Sequence, residues 1–428
     1  MDRAEALTDV FVAEFGELMS LDPAAFRRKF RKMAASPFAF YRGSACVFYA
    51  DVHGIRDDFL DARTSRVWIH GDLHAENFGT YMNAAGVLVF NVNDFDEAYV
   101  GPFTWDLKRF AASVALIGYE KALSDTVIGE LVAGYAAAYV TELRGIAGGG
   151  AIGSLTLDTT DGVLHDVLQR ARLRTRVALL DTQTVVEEYD RRFMMADGVY
   201  AVEDALREEV LAAFAEYLPT MPSWDASRPE QYTIKDVVLR KGVGIGSAGL
   251  PSYNLLLEGH TQALENDVIL YMKQGQTPAV SRFIPDPRVR EYFRHQGHRT
   301  SESQRALQAH ADAWAGHTVL RGVGQMVAEV SPYATDLDWS DVNELAQLRS
   351  VIAYLGRATA RMHSVADDES AHDLVDFSTE DAIVAAVDRD EAGFTAALVE
   401  FAHEYGDVAR RDHQIFVDLF RNGKFPLQ

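Results

Sequence analysis

Aromatic and aliphatic side chains recur every three or four positions through the first 35 residues, where Phe11, Phe15 and Leu18 are followed by Phe26 and Phe30. That spacing predicts helices with one buried stripe. The period then shortens. "RVWIHGD" (66–72) and "GVLVFNVNDFD" (86–96) are rich in Val, Ile and Phe and predict two short strands, with "NAAG" (83–86) as the turn between them. In "SPFAFYRGSACVFYADV" (36–52) a proline blocks helix at the start of an apolar stretch.

From Phe103 onward "WDLKRFAASVALIGYEKAL" and "VIGELVAGYAAAYVTELRGI" restore the helical period, and "AGGGAIGS" and "MPSWDASRPEQ" read as linkers. Residues 235–275 turn β-rich. A long helix is predicted over "SESQRALQAHADAWAGHTVL", then a strand at "GQMVAEV", then helices to the end. The pattern predicts a helical body carrying one mainly β insert.

Composition narrows the function. With 41 basic and 63 acidic residues the net charge is −22, which disfavours nucleic acid and anionic membrane as partners and leans toward a cationic or neutral small molecule. The basic run "FRRKFRK" (26–32) goes against this and reads as a solvated helix face. No apolar run approaches a membrane span, the N-terminus has acids where a secretory signal has bases, and the single cysteine, Cys46, permits no intrachain disulfide. The expected location is cytoplasmic.

The chemistry concentrates in "HGDLHAENFG" (70–79) and "NDFD" (93–96). Asp72 is a candidate base that orients a hydroxyl nucleophile, and Asn77 and Asp94 are hard oxygen donors for Mg2+ beside nucleotide phosphates. Asp96 is either a further metal ligand or a turn cap. His70 and His74, four apart, raise zinc as an alternative, but Gly71 disfavours the helix that would align them. Gly244, Gly246 and Gly249 form G-x-G-x-x-G, followed by an apolar run suited to a strand. Strand, glycine turn and strand are the phosphate-covering hairpin of kinases. Lys273 ends the next strand, within expected reach of a nucleotide's phosphates, and Glu302 on the following helix is placed either to position Lys273 or to favour the helix dipole.

In kinases the glycine loop and lysine precede the catalytic loop, whereas here they come later. A kinase-like fold would therefore be circularly permuted. On "SPFAFYRGSA", "HGDLHAENFG", "NDFDEAYVGPFTWDLKRFAAS", "KDVVLRKGVGIGSAGLPSYNLLLEG", "HQGHRTSESQRALQAHAD" and "GRATARMHS", the chain resembles the DUF2252 family of bacterial proteins, relatives of kinase-like phosphotransferases. The first histidine-rich block is also similar to the H-G-D-x-H-x-x-N of aminoglycoside phosphotransferases and choline kinases.

The resemblance implies an α+β, two-lobed, protein-kinase-like fold, circularly permuted, with a small antiparallel sheet lobe and a large helical lobe. Residues 1–230 would carry the catalytic and metal loops, 231–332 the nucleotide-covering lobe, and 333–428 the helices completing the body. It implies Asp72 and His74 as catalytic, Asn77, Asp94 and Asp96 at the metal, and Gly244, Gly246, Ser247, Gly249, Lys273 and Glu302 at the nucleotide. Asp106 matches an acid that holds the catalytic loop, and Arg42 and Arg109 would bind phosphate or pair with carboxylates.

The implied activity is ATP- and Mg2+-dependent phosphoryl transfer to a hydroxyl of an unidentified small acceptor. Two rivals use the same residues: AMP transfer, and a catalytically silent pseudokinase or nucleotide-binding module. The segment "GQMVAEVSPYATDLDW" favours the silent module, because it lacks the Arg and Lys of the family's R-Q-x-x-D-x-K pattern.

Overall fold

The computed structural model describes residues 2–241 and 250–427. The early phenylalanines turn inward. Helix α1 (Arg3–Leu21) buries Leu7, Phe11, Phe15 and Met19 in one stripe, and α2 (Pro23–Met33), capped by Asp22, packs Phe26 and Phe30 beside it. The basic run on α2 is split. Arg27, Arg28, Arg31 and Lys32 are exposed, but Lys29 is buried with its Nζ 4.0 Å from the centre of the Phe15 ring. Helical periodicity places it on the apolar side, so the run is not wholly a solvated face. Pro37 starts a helix instead of blocking one. It occupies the first turn of α3 (Pro37–Arg42), where its missing N–H costs nothing, and α4 (Ala45–Val52) follows.

Four short strands come next: β1 (Val67–Ile69), β2 (Phe78–Met82), β3 (Leu88–Val92) and β4 (Tyr99–Gly101). The two predicted strands are present but do not pair with each other. β1 pairs antiparallel with β4, and β3 pairs with β2, "FGTYM", whose small and polar members hid it from the pattern. Helices α5 (Phe103–Glu120), α6 (Asp125–Ala147) and α7 (Gly162–Arg172) build the body, whereas α8 (Arg176–Gln183) buries Leu180 against Val238, Leu256 and Ile269 of the later β-rich segment. A hairpin of β5 (Thr184–Glu187) and β6 (Asp190–Phe193), then β7 (Val199–Ala201), interrupt a stretch that reads as helical, before α9 (Asp204–Tyr217).

The β-rich segment supplies β8 (Ile234–Arg240), β9 (Ser252–Leu257) and β10 (Val268–Gln274), followed by α10 (Pro287–Tyr292), α11 (Gln296–Leu307), β11 (Gly316–Leu320) and β12 (Val323–Glu329). These strands form an antiparallel sheet in the order β11-β12-β10-β9-β8-β7. Because β7 joins it and α9 packs beneath it through Val210, Phe214 and Tyr217, this unit begins upstream of residue 231. The predicted long helix ends at Leu307, and "GHTVL" is a strand. Its Gly316 lies against Tyr217, where a Cβ would come within 2.7 Å of the ring.

The chain then returns. β13 (Thr335–Asp336) pairs with β2 from the first hundred residues, and α12 (Leu345–His363), α13 (Thr379–Val387) and α14 (Glu391–Arg421) pack onto the helices of the body. The result is an α+β protein with antiparallel sheets, in which the last helices complete a core begun by the first. Among the described residues no helix is long and apolar enough to cross a membrane.

Two helices of this core approach closely at Gly356 of α12, where a Cβ would sit 2.6 Å from the Tyr135 carbonyl oxygen on α6. Gly356→Ala is expected to destabilise the protein by about 1–3 kcal/mol through overpacking. Gly134→Ala on α6 meets nothing within 4 Å and is expected to stabilise by about 0.4–1 kcal/mol. Urea denaturation of the two variants checks both signs.

Candidate catalytic cleft

The loop after β1 hangs from one buried carboxylate. Asp106, in the first turn of α5 and fully buried, accepts the His70 N–H at 2.6 Å and the Gly71 N–H at 3.0 Å. Its Oδ2 also faces His363 Nε2 at 3.2 Å, and His363 Nδ1 meets the Tyr139 hydroxyl at 2.8 Å. An N–H on Nε2 donating to Asp106, with Nδ1 accepting from Tyr139, satisfies both contacts. His363 closes α12, so "GRATARMHS" braces a loop almost three hundred residues earlier. Gly71 is required here. Its φ is +78°, and a Cβ would lie 2.0 Å from the Glu97 carbonyl oxygen.

Both loop histidines serve the backbone. His70 Nε2 is 2.7 Å from the Asn93 carbonyl oxygen and its Nδ1 accepts the Asp72 N–H at 3.3 Å. His74 Nδ1 accepts the Glu76 N–H at 3.2 Å, while its Nε2 lies 3.9 Å from Asp72 Oδ2. Burial, then the nearby Arg42 and Arg109, hold His74 well below the usual imidazole range, so it is neutral. With both nitrogens of His70 engaged, zinc loses its ligand pair. Among the described residues no group of three or more His, Cys, Asp or Glu side chains is arranged to hold a metal ion.

Asp72 is held by Arg109. The guanidinium donates from Nε at 2.6 Å and again through its terminal nitrogen, and it stacks 4.4 Å from the Tyr41 ring centre. Arg42 pairs with Glu76, so both arginines meet carboxylates. Burial nevertheless raises the Asp72 carboxyl above its ordinary value, with Arg109 opposing the rise. A carboxylate poised in that way is a better proton acceptor near neutral pH than a solvated one. Asn77 donates from Nδ2 to the Asp72 carbonyl at 2.9 Å, which leaves Oδ1 as its acceptor.

Asp94 follows β3 with a φ of +59°, unusual for a residue with a side chain. Burial, then repulsion from Asp96, raises its carboxyl, while Lys273 and His70 pull the other way. Asp96 is the ion partner of Lys273 at 3.0 Å, across 177 residues of sequence. Burial alone would lower the Lys273 ammonium, but Asp96 leaves it raised.

Glu302 does not position that lysine. On α11 it pairs with Arg305 at 2.6 Å and lies 3.7 Å from His372. The helix instead presents Thr300 and Gln304 to the cleft. Its contribution to the acid loop is Arg299, which the motif reading passed over. This fully buried guanidinium donates to the carbonyls of Phe95 (3.3 Å), Asp96 (2.7 Å), Ala98 (2.6 Å) and Gln276 (3.0 Å). The available signal was a helix with few apolar residues in which nine of twelve are buried, a surplus of polar side chains that the interior must satisfy.

Two cavities meet at Asp94. One, about 220 Å³, is lined by Lys273 and Tyr271 of β10, Met326 and Ala328 of β12, Gly79 of β2 and Asp336 of β13. Segment 324–339 thus forms one wall. The other, about 80 Å³, is lined by Asp72, His74, Asn77, Asp96, Glu97, Glu14, Lys29 and Cys46. Gly244, Gly246, Ser247 and Gly249 lie outside the described residues; of the strands on either side, β9 pairs with β10 and β8 pairs with β9.

A family model described as "Uncharacterized protein conserved in bacteria (DUF2252)" matches residues 21–419. No curated protein and no solved structure matches the chain.

Glu97 carries a testable electrostatic signature. Burial, then Glu14 and Asp72, pushes its carboxyl up to about 8 from 4.5, although it accepts the Ala279 N–H at 2.6 Å. The folded protein therefore keeps a proton that the unfolded chain releases, so this residue lowers stability as pH rises from about 5 to about 8. Glu97→Gln keeps an acceptor for Ala279 without the charge. Its melting temperature should gain on the parent steadily through that window, with the two converging below pH 4.5. A constant difference from pH 5 to 8 would refute the raised carboxyl.

Proposed function

The chain belongs to the DUF2252 family, whose description names no activity, and from its own geometry we propose that it is an ATP- and Mg2+-dependent phosphotransferase of circularly permuted, kinase-like fold. One observation carries the reading. Lys273 from the late sheet and Asp94 from the early loop line a single cleft, and Asp94 also lines the chamber containing Asp72. A phosphoryl-transfer site needs this division, with nucleotide on one side, acceptor and base on the other, and a metal-binding acid between them.

The order of elements supports permutation. Around the undescribed glycine segment stand β8 and β9, then β10 with its lysine, α11, β11 and β12. That is the sequence of parts expected of a kinase nucleotide lobe. β13 and α12 then lead back to the loop of Asp72, through the pairing of β13 with β2 and the brace of His363 on Asp106.

Magnesium suits the donors: Asp94 and the Asn77 amide oxygen are hard ligands, and a divalent cation would relieve the repulsion that raises the Asp94 carboxyl. When bound, it would neutralise charge on the phosphates. The protein's own groups do the rest. Lys273 donates to phosphate oxygens, Asp72 orients the acceptor hydroxyl and takes its proton, and Arg109 fixes the Asp72 rotamer.

One observation favours a silent nucleotide-binding module as the second reading. Lys273 is neutralised by Asp96, and the helix acid Glu302 is turned away. AMP transfer would use the same cleft with the nucleotide reversed.

The test is transfer of label from ATP to an acceptor pool. γ-label on product supports phosphoryl transfer, α-label supports AMP transfer, and ATP binding with neither supports the silent module. Asp72→Asn is expected to lower turnover by about 10²–10⁴-fold with ATP affinity retained, and Lys273→Ala to weaken ATP binding itself. Undiminished turnover in Asp72→Asn would remove Asp72 from the mechanism.

A further inference from the structure

The chamber on the Asp72 side contains one cation, Lys29, to which the described residues give no direct hydrogen bond or ion pair. Lys29 is 95% buried, given its 5% exposure, and lines this chamber. Its ammonium rests on the Phe15 ring face but has no hydrogen bond or ion pair among the described residues. The acids around it already have partners. Glu14 meets Arg282 at 3.0 Å, Asp72 meets Arg109 at 2.6 Å, Asp96 meets Lys273 at 3.0 Å, and Glu97 accepts the Ala279 N–H at 2.6 Å. The remaining arginine of the lining, Arg42, is taken by Glu76. Burial pulls the Lys29 ammonium below its ordinary range, against the opposing charges of Cys46, Glu97, Glu14 and Asp72, and a ring face compensates the loss of water only in part.

We propose, building on the phosphotransferase reading, that this chamber takes a small hydroxy-carboxylate as acceptor, with its carboxylate on Lys29 and its hydroxyl toward Asp72. In the transfer, the acceptor oxygen bonds the γ-phosphorus and its proton passes to Asp72. The bond from the γ-phosphorus to the bridging oxygen breaks, and ADP leaves with that electron pair. The net charge of −22 leans toward a cationic acceptor. However, that field is long-ranged and screened by salt, whereas the chamber discriminates at contact distance, where the acids nearest Lys29 (Glu14, Glu97 and Asp72) each have a partner of their own.

The test is binding to the full-length protein without nucleotide, by calorimetry or ligand-observed NMR. The probes are D-glycerate and L-malate, with neutral glycerol and cationic ethanolamine as comparisons. Either hydroxy acid should bind about tenfold or more tightly than both comparisons, Lys29→Met should weaken it by about tenfold or more, and Lys29→Arg should retain most of it. Binding of an ATP analogue with Mg2+ should be unchanged in both variants.

Equal or tighter binding of glycerol or ethanolamine, binding of no carboxylate, or full hydroxy-acid affinity in Lys29→Met would each overturn the assignment. If Lys29→Met does not fold, the probe comparison on the parent and Lys29→Arg still decides. A hydroxy acid that binds through Lys29 but receives no phosphoryl group would defeat the phosphotransferase reading and leave the assignment of Lys29 intact. Phosphoryl transfer to another acceptor, with no hydroxy acid bound, would do the reverse.

Discussion

Carboxylates withdrawn from water have to be met by hydrogen-bond donors or cations, and in this protein those partners come from far along the chain. Asp106 gathers two backbone N–H groups and His363 from α12. Asp72 is met by Arg109, and Asp96 by Lys273 from the late sheet. Removing one member of such a pair leaves an uncompensated charge in a poor solvent, at a cost of several kcal/mol. The pairs therefore act as joints. They fix which distant segments lie together, and so where the cleft is.

Arg299 extends this logic from charge to backbone. Four carbonyl oxygens of the 95–98 turn and its neighbour Gln276 converge on one guanidinium. A turn that holds Asp94 at positive φ has little regular secondary structure to satisfy its polar groups. The helix α11 supplies donors from the opposite wall. A shift of α11 would therefore be felt at the acid loop and at Lys273, which lies on the strand beside it. The two cavities also differ in character: the Lys273 side has Tyr271, Met326 and Ala328 among its walls, whereas the Asp72 side is dominated by ionisable groups.

Much of this was legible before any coordinates. Helical periodicity located α1, α5, α6 and α12, because burying one stripe of a helix leaves a local record. The acids of the two loops stood out because bulky apolar strands flank them. Pairing was less legible. β2 escaped notice since Gly79 and Thr80 interrupt its apolar pattern, and its true partners, β3 and β13, lie on either side of it at very different sequence distances. Glu302 was placed on a helix with its role open between Lys273 and the helix dipole, and neither reading includes its actual partner, the one-turn neighbour Arg305.

The sequence by itself determined the α+β composition and the residue types at the two loops, which follow from short-range periodicity and spacing, and its motif blocks carried the resemblance to the family. Tertiary structure decided the partners. That Lys273 meets Asp96, that His363 braces Asp106, and that Lys29 is turned inward alone among its basic neighbours depend on how helices and sheets rotate against one another. A direct ion pair needs its two groups within about 4 Å of each other, so a one-dimensional pattern cannot record which of several acids a given cation will reach.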